Sequence, residues 1–271
     1  MKKISLIVTT YNRADALALV LQALAAQKGV EFSFEVIIAD DGSTPETAAL
    51  IKHLQPDLPY SLQLMWQEDK GFRAAMARNR AIAMASGDYL IFLDGDCIPQ
   101  TDFIARHRQL AENGCFVAGN RILLSEKFTA LLLKNSLALL KKEGIKKEGI
   151  WTRHITEWLL PYLRRDINRL LPLLRLPDSS LRKSKKQKWQ GAKTCNLAVW
   201  RKDILKINGF DEQFQGWGHE DAELVVRLLH SGTRRKEGRF SVPVLHLWHQ
   251  EQDRHQEKKN RQRLEQRLIR A

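Results

Sequence analysis

The chain has 271 residues, 44% apolar and 28% charged, which suits one large α/β domain or a domain carrying an insertion. No apolar run approaches the roughly 20 residues that a membrane-spanning helix requires, and the apolar stretch in "MKKISLIVTTYNR" is too short for a signal-peptide core. The net charge is +13, and residues 127 to 188 hold 16 Lys and Arg against 5 Asp and Glu, so most of the excess points to one anionic partner surface, nucleic acid or lipid.

In chain order, "KISLIVTTYN" reads as a first strand, "DALALVLQALAAQ" as a helix and "FEVIIADDGS" as a second strand. "SLQLMWQE" continues as a strand, "RAAMARNRAIAMASG" as a helix closed by Gly87, and "GDYLIFLDGD" and "GCFVAGN" as further strands. This alternation predicts βαβ units and a mostly parallel sheet, with the site at the carboxyl ends of the strands. Residues 125 to 188 break the pattern. "FTALLLKNSLALLKK" and "ITEWLLPYLRRDINRLLPLLRL" are apolar with interleaved cations, between the basic runs "KKEGIKKEG" and "SSLRKSKKQK". One reading is a helical insertion with a solvated cationic face. The other is a pair of interfacial amphipathic helices, with Trp151, Trp158, Leu159 and Leu160 in the headgroup region and Arg164, Arg165 and Arg169 on anionic lipid. The α/β pattern resumes with "GAKTCNLAVWR" as a strand, "KDILKING" as a short helix and "FSVPVLHLWHQ" as a late strand, followed by a charged helical tail over 251–271. The organisation is therefore 1–124, an insertion at 125–188, 189–250 and the tail. Three scattered cysteines without CxxC spacing fit a reducing cytosol.

Four stretches carry chemistry. In "DGD", Asp94 and Asp96 follow a strand and suit Mg²⁺ or Mn²⁺ with substrate phosphates, although Asp-Gly-Asp also makes plain turns. In "TTYNR" and "ADDGS", Tyr11 offers a stacking face and Asp41 an acceptor for a base or ribose, while Asn12 as a helix cap and "DDGS" as a turn are the alternatives. In "GWGHED", Gly216 and Gly218 bring the Trp217 face close to a ligand. Glu220 and Asp221 stand at a helix start, where they serve either as a general base or as dipole partners. His246 and His249 follow the last strand, and imidazole suits a cation held at Asp96.

Taken together, "VTTYN", "DDGS", "ARNRAI", "GDYLIFLDGDC" and "GWGHEDAEL", in this order and spacing, resemble family 2 glycosyltransferases of the GT-A fold, with an ending similar to a galactosyltransferase-type module. The likeness covers roughly 3–122 and 189–250 and leaves the basic stretch unexplained. It implies a Rossmann-like, mixed and mostly parallel sheet flanked by helices. It also implies an inverting, metal-dependent transferase taking a nucleotide-sugar donor, UDP by family, and a glycan or lipid-linked acceptor of lipopolysaccharide or capsule assembly. By the same likeness Thr9, Tyr11 and Asp41 hold the nucleoside with Asp40 beside them, and Arg78 faces the donor. Asp94 approaches the ribose or sugar, and Asp96 and His249 bind Mn²⁺ or Mg²⁺, with His246 second choice. Asp221 is the catalytic base, Glu220 a sugar contact, and Trp217 lies under the acceptor ring. The expected setting is the inner face of the cytoplasmic membrane. Competing readings are a sugar nucleotidyltransferase, whose glycine- and basic-rich phosphate loop after the first strand is missing from "TTYNRADA", and a non-catalytic nucleic-acid-binding module built on 127–188.

Overall fold

The computed structural model describes residues 3–143, 148–183, 188–251 and 253–269, with the backbone alone described over 135–143. The basic residues at 144–147 and 184–187, part of the two basic runs, lie outside the described residues.

The first half runs β1 (Ile4–Thr10), α1 (Ala14–Ala25), β2 (Phe34–Asp40), α2 (Pro45–Leu54), β3 (Ser61–Trp66), α3 (Ala74–Met84) and β4 (Tyr89–Asp94). It continues through β5 (Cys97–Pro99), α4 (Phe103–Leu110), β6 (Cys115–Ala118), β7 (Asn120–Leu123) and α5 (Glu126–Glu143). After the insertion, with its short α6 (Leu159–Leu163), come β8 (Asn196–Trp200), α7 (Arg201–Lys206) and α8 (Glu220–His230). The chain closes with β9 (Arg234–Glu237), β10 (Pro243–His246) and α9 (Glu257–Ile269).

Seven strands form the main sheet in the order β3-β2-β1-β4-β8-β6-β9. All pairings are parallel except those of β8, which runs antiparallel to both neighbours. Apolar runs without polar alternation form its centre because both faces are covered. Alternate residues divide between two cores. Leu6, Val8, Ile38 and Leu93 pack with Leu17, Leu21 and Leu24 of α1. Ile7, Ile37 and Phe92 pack with Ala77, Ala81 and Ile82 of α3 and with Leu224 and Leu228 of α8. The register aligns Thr10 with Asp40 and Thr9 with Asp94, so the polar ends of three parallel strands share one edge.

"GCFVAGN" is not one strand. The chain leaves the main sheet at Gly119, where a Cβ would collide with Asn196, and β7 joins a second sheet ordered β5-β10-β7. In that small sheet His246 pairs with Cys97, and the Leu247 amide donates to the Asp96 carbonyl at 2.9 Å.

The insertion also departs from expectation. α5 is helical, but "ITEWLLPYLRRDINRLLPLLRL" folds into 3₁₀ turns at Ile155–Trp158 and Leu171–Leu173 flanking the five-residue α6. Arg165 takes a left-handed φ of 61°, and prolines at 161 and 172 remove the amides a continuous helix needs. Trp151 and Trp158 do not face outward. They are 3% and 0% exposed and belong to the same core as α1, which excludes them from a headgroup region, whereas Leu159 and Leu160 are half-exposed. Arg175 pairs with Asp102 at 3.0 Å and Lys183 with Glu112 at 2.6 Å. Buried Arg182 donates to the carbonyls of Leu176, Pro177, Glu237 and Arg239. These cations attach the insertion to the body instead of forming a free basic face.

Candidate active site

Arg78, nearly fully buried on α3, is the centre of the site. Its Nε donates to Thr9 Oγ1 at 3.0 Å and its Nη2 to Asp94 Oδ1 at 3.3 Å. Its Nη1 lies 3.5 Å from Glu220 and 3.7 Å from Asp221. Burying a guanidinium is costly unless it is paired, and these three carboxylates raise the Arg78 pKa against the opposing effect of desolvation. One cation thus joins the ends of β1 and β4 to the start of α8.

Glu220 and Asp221 occupy the first turn of α8, after a loop in which Gly216, Gly218 and His219 all have left-handed φ values of 74°, 105° and 72°. A pure capping role is not what the contacts show, because the N-cap His219 makes no side-chain cap and Asp221 Oδ1 instead accepts a hydrogen bond from Thr194 Oγ1. Burial, and then the adjacent Asp221 carboxylate, push the Glu220 carboxyl up to about 7. Asp221 remains about a quarter exposed.

Asp96 meets both histidines. Its carboxylate oxygens lie 3.7 Å from His246 Nε2 and 3.4 Å from His249 Nε2, and the three candidate ligand atoms fall within 4.8 Å of one another. Both histidines, not one of them, thus face Asp96. His249 Nδ1 lies 2.8 Å from the Gln250 carbonyl and donates to it, which turns Nε2 to Asp96. Burial lowers the His246 pKa to about 4, which leaves its imidazole neutral at pH 7. Burial also raises Asp96, opposed by His249 and Arg13. Asp96 facing the Nε2 atoms of two imidazoles is a donor set of one oxygen and two nitrogens, which suits Mn²⁺. The residues fit a divalent ion.

The remaining candidates divide. Asp41 accepts from Gln67 Nε2 and from the Arg73 amide, both at 2.6 Å, so it shapes the loop that follows β3. Asp40 accepts the Ser43 amide at 2.8 Å and closes the "DDGS" turn. Asn12 does not cap α1. Its Oδ1 accepts the Thr44 amide, which joins the loops after β1 and β2. Tyr11 is 43% exposed, with its hydroxyl donating to Asp69 at 2.9 Å. The Arg254 guanidinium lies 4.6 Å from the centre of the Trp217 ring. Sequence reasoning missed Thr194, Gln67 and Arg254. Each acts through a contact distant in sequence, and only the polar run before β8 hinted at Thr194.

Comparison with known proteins gives this arrangement a family. A family model described as glycosyl transferase family 2 matches residues 5–171, and one described as the N-terminal domain of galactosyltransferase matches 178–249. Hyaluronan synthase of Pasteurella multocida is 28% identical over 258 residues, covering 92% of this chain and 24% of that protein. Validoxylamine A glucosyltransferase of Streptomyces hygroscopicus subsp. jinggangensis is 30% identical over 225 residues, covering 83% of this chain and 51% of that protein. The chain thus spans a quarter to a half of these relatives. Among solved structures, S. aureus TarS superposes with a TM-score of 0.59 at 16% identity, over 91% of this chain and 37% of that one. GalNAc-T7, determined with UDP, GalNAc and Mn²⁺, gives 0.66 at 15% identity, over 98% of this chain and 48% of that one. These likenesses share the GT-A fold expected from the sequence. With the first family model covering more than half of its residues, the chain belongs to glycosyl transferase family 2.

Proposed function

We propose that the protein is an inverting, metal-dependent glycosyltransferase that moves a sugar from a nucleotide-sugar, of the UDP class, to a hydroxyl of a glycan or lipid-linked saccharide in cell-surface polysaccharide assembly. The observation that carries this reading is the pairing of two adjacent clusters at one sheet edge. Arg78 joins Thr9, Asp94, Glu220 and Asp221, and Asp96 gathers His246 and His249. A divalent ion held by Asp96, His246 and His249 would supply Lewis-acid stabilisation of the departing diphosphate. Asp94 and Arg78 orient the donor. Asp221, with Oδ1 engaged by Thr194, turns its other oxygen to the acceptor hydroxyl and takes its proton as that oxygen attacks the anomeric carbon from the face opposite the nucleotide. No second carboxylate is needed as a nucleophile, which is what makes the reaction inverting. Asp221→Asn should retain UDP binding and lose transfer by about 10²-fold or more. Turnover at the wild-type rate in that variant would remove Asp221 from the mechanism.

The same reading assigns the insertion to the inner face of the cytoplasmic membrane. Leu159, Leu160, Leu163, Leu171 and Leu181 are 52% to 92% exposed, and Arg164, Arg165 and Arg169 stand exposed among them. Apolar side chains interspersed with exposed cations match an anionic lipid surface, and a lipid-linked acceptor would be met there.

A further inference from the structure

Among the described residues α9 contributes nothing to the charge cluster around Arg78, yet it is fastened to the loop that carries Trp217. Asn260, 1% exposed, donates its Nδ2–H to the Gln215 carbonyl at 3.0 Å, and Arg263 donates to the Gln213 carbonyl. On the other side, the Gly216 amide donates to the Phe72 carbonyl at 3.0 Å. These contacts enclose a cleft of about 480 Å³ between Lys70–Phe72, the 213–216 loop and one face of α9.

The lining of the cleft is one-sided. Its charged groups are Lys70, Lys259 and Arg263, its other polar side chains are amides of Gln and Asn, and no carboxylate among the described residues lines it. Lys70 pairs with Glu68 outside the cleft, at 2.8 Å, with both side chains largely in solvent. Lys259 has no ion-pair partner among the described residues. Gly216 is shared between the cleft and the aromatic platform. It forms part of the wall, and the next residue is Trp217. Its positive φ of 74° favours glycine, and a Cβ at this position would fall 2.6 Å from Gln256 Cβ.

We propose that this cleft is an acceptor subsite that selects an anionic saccharide, one bearing a carboxylate or a phosphate. Its role as an acceptor site rests on the glycosyltransferase reading; its preference for anions does not. A saccharide whose reacting unit lies by the Trp217 loop continues into a space of monosaccharide to disaccharide size, where amides meet hydroxyls and three cations meet one negative group.

The test uses the whole chain and ligand-observed NMR with three probes: a glucuronate-containing disaccharide, a hexose phosphate and a neutral disaccharide of equal size. One or both acidic probes should bind about tenfold more tightly than the neutral one, with the preference shrinking as salt rises from about 0.05 to about 0.3 M. Which of them binds identifies the anionic group. Lys70→Glu/Lys259→Glu, both exposed positions, should abolish the preference and leave UDP binding with Mn²⁺ intact. Equal affinity for neutral and acidic probes, or an acidic preference that survives the double substitution, overturns the proposal. Loss of the cleft with retained UDP binding leaves the transferase reading standing, and absence of UDP binding with a retained acidic preference does the reverse.

Discussion

Glu220 sits where burial and charge oppose ionisation, with its carboxyl pushed up to about 7 against an ordinary value of 4.5. Between those values the folded chain keeps a proton that the unfolded chain has released. Stability from this residue is therefore present below pH 4.5 and lost as pH rises towards 7. Glu220→Gln should flatten that fall in urea midpoints between about pH 5 and about pH 7. An unchanged slope would mean that Glu220 ionises as an ordinary surface carboxylate. At this scale, Asp94, Asp96, Glu220 and Asp221 were legible because short acids at strand and helix ends declare themselves locally. The connecting role of Arg78 was not, since its hydrogen-bond partners lie 69 and 16 residues away and no periodicity encodes them. Nor could a sequence decide between His246 and His249, because only the pairing of β10 with β5 brings both to Asp96.

The insertion shows what composition cannot tell about an element. Its tryptophans and cations match an interfacial helix by type, but packing assigns them otherwise. Trp158 meets Phe128 edge-on at 6.4 Å between ring centres and is fully buried. Trp158→Ala should cost about 3–5 kcal/mol in equilibrium unfolding, whereas Leu163→Ala, at 69% exposure, should change stability by no more than about 0.5 kcal/mol. Equal effects would mean that Trp158 does not anchor the insertion. β9 was invisible for a related reason. "RRKE" has no apolar pattern, yet Arg235 and Lys236 are buried and paired, Arg235 with Glu237 at 2.8 Å and Lys236 with Asp178 at 2.8 Å. The parallel strands β1, β2 and β4 were readable because burial on both faces leaves a continuous apolar run.

For the whole molecule, the sheet brings the Arg78 cluster and the Asp96 cluster to one edge, and the insertion carries exposed leucines and arginines. If the membrane assignment holds, the protein should co-sediment with vesicles rich in anionic lipid, and Leu159→Ser/Leu163→Ser should weaken this by about tenfold or more through lost apolar burial. Sedimentation that depends on salt alone and ignores the leucines would reduce the surface to a general polycation. Whether "DGD" with the two histidines is a cation site for a nucleoside diphosphate is decided by thermal unfolding with UDP, with and without Mn²⁺, in the wild type and in Asp96→Ala and His249→Ala. At about 100 times its dissociation constant, UDP should add roughly 2.7 kcal/mol of stability, only with Mn²⁺ and only in the wild type. Stabilisation by UDP that is equal without metal, or equal in both variants, would contradict the account.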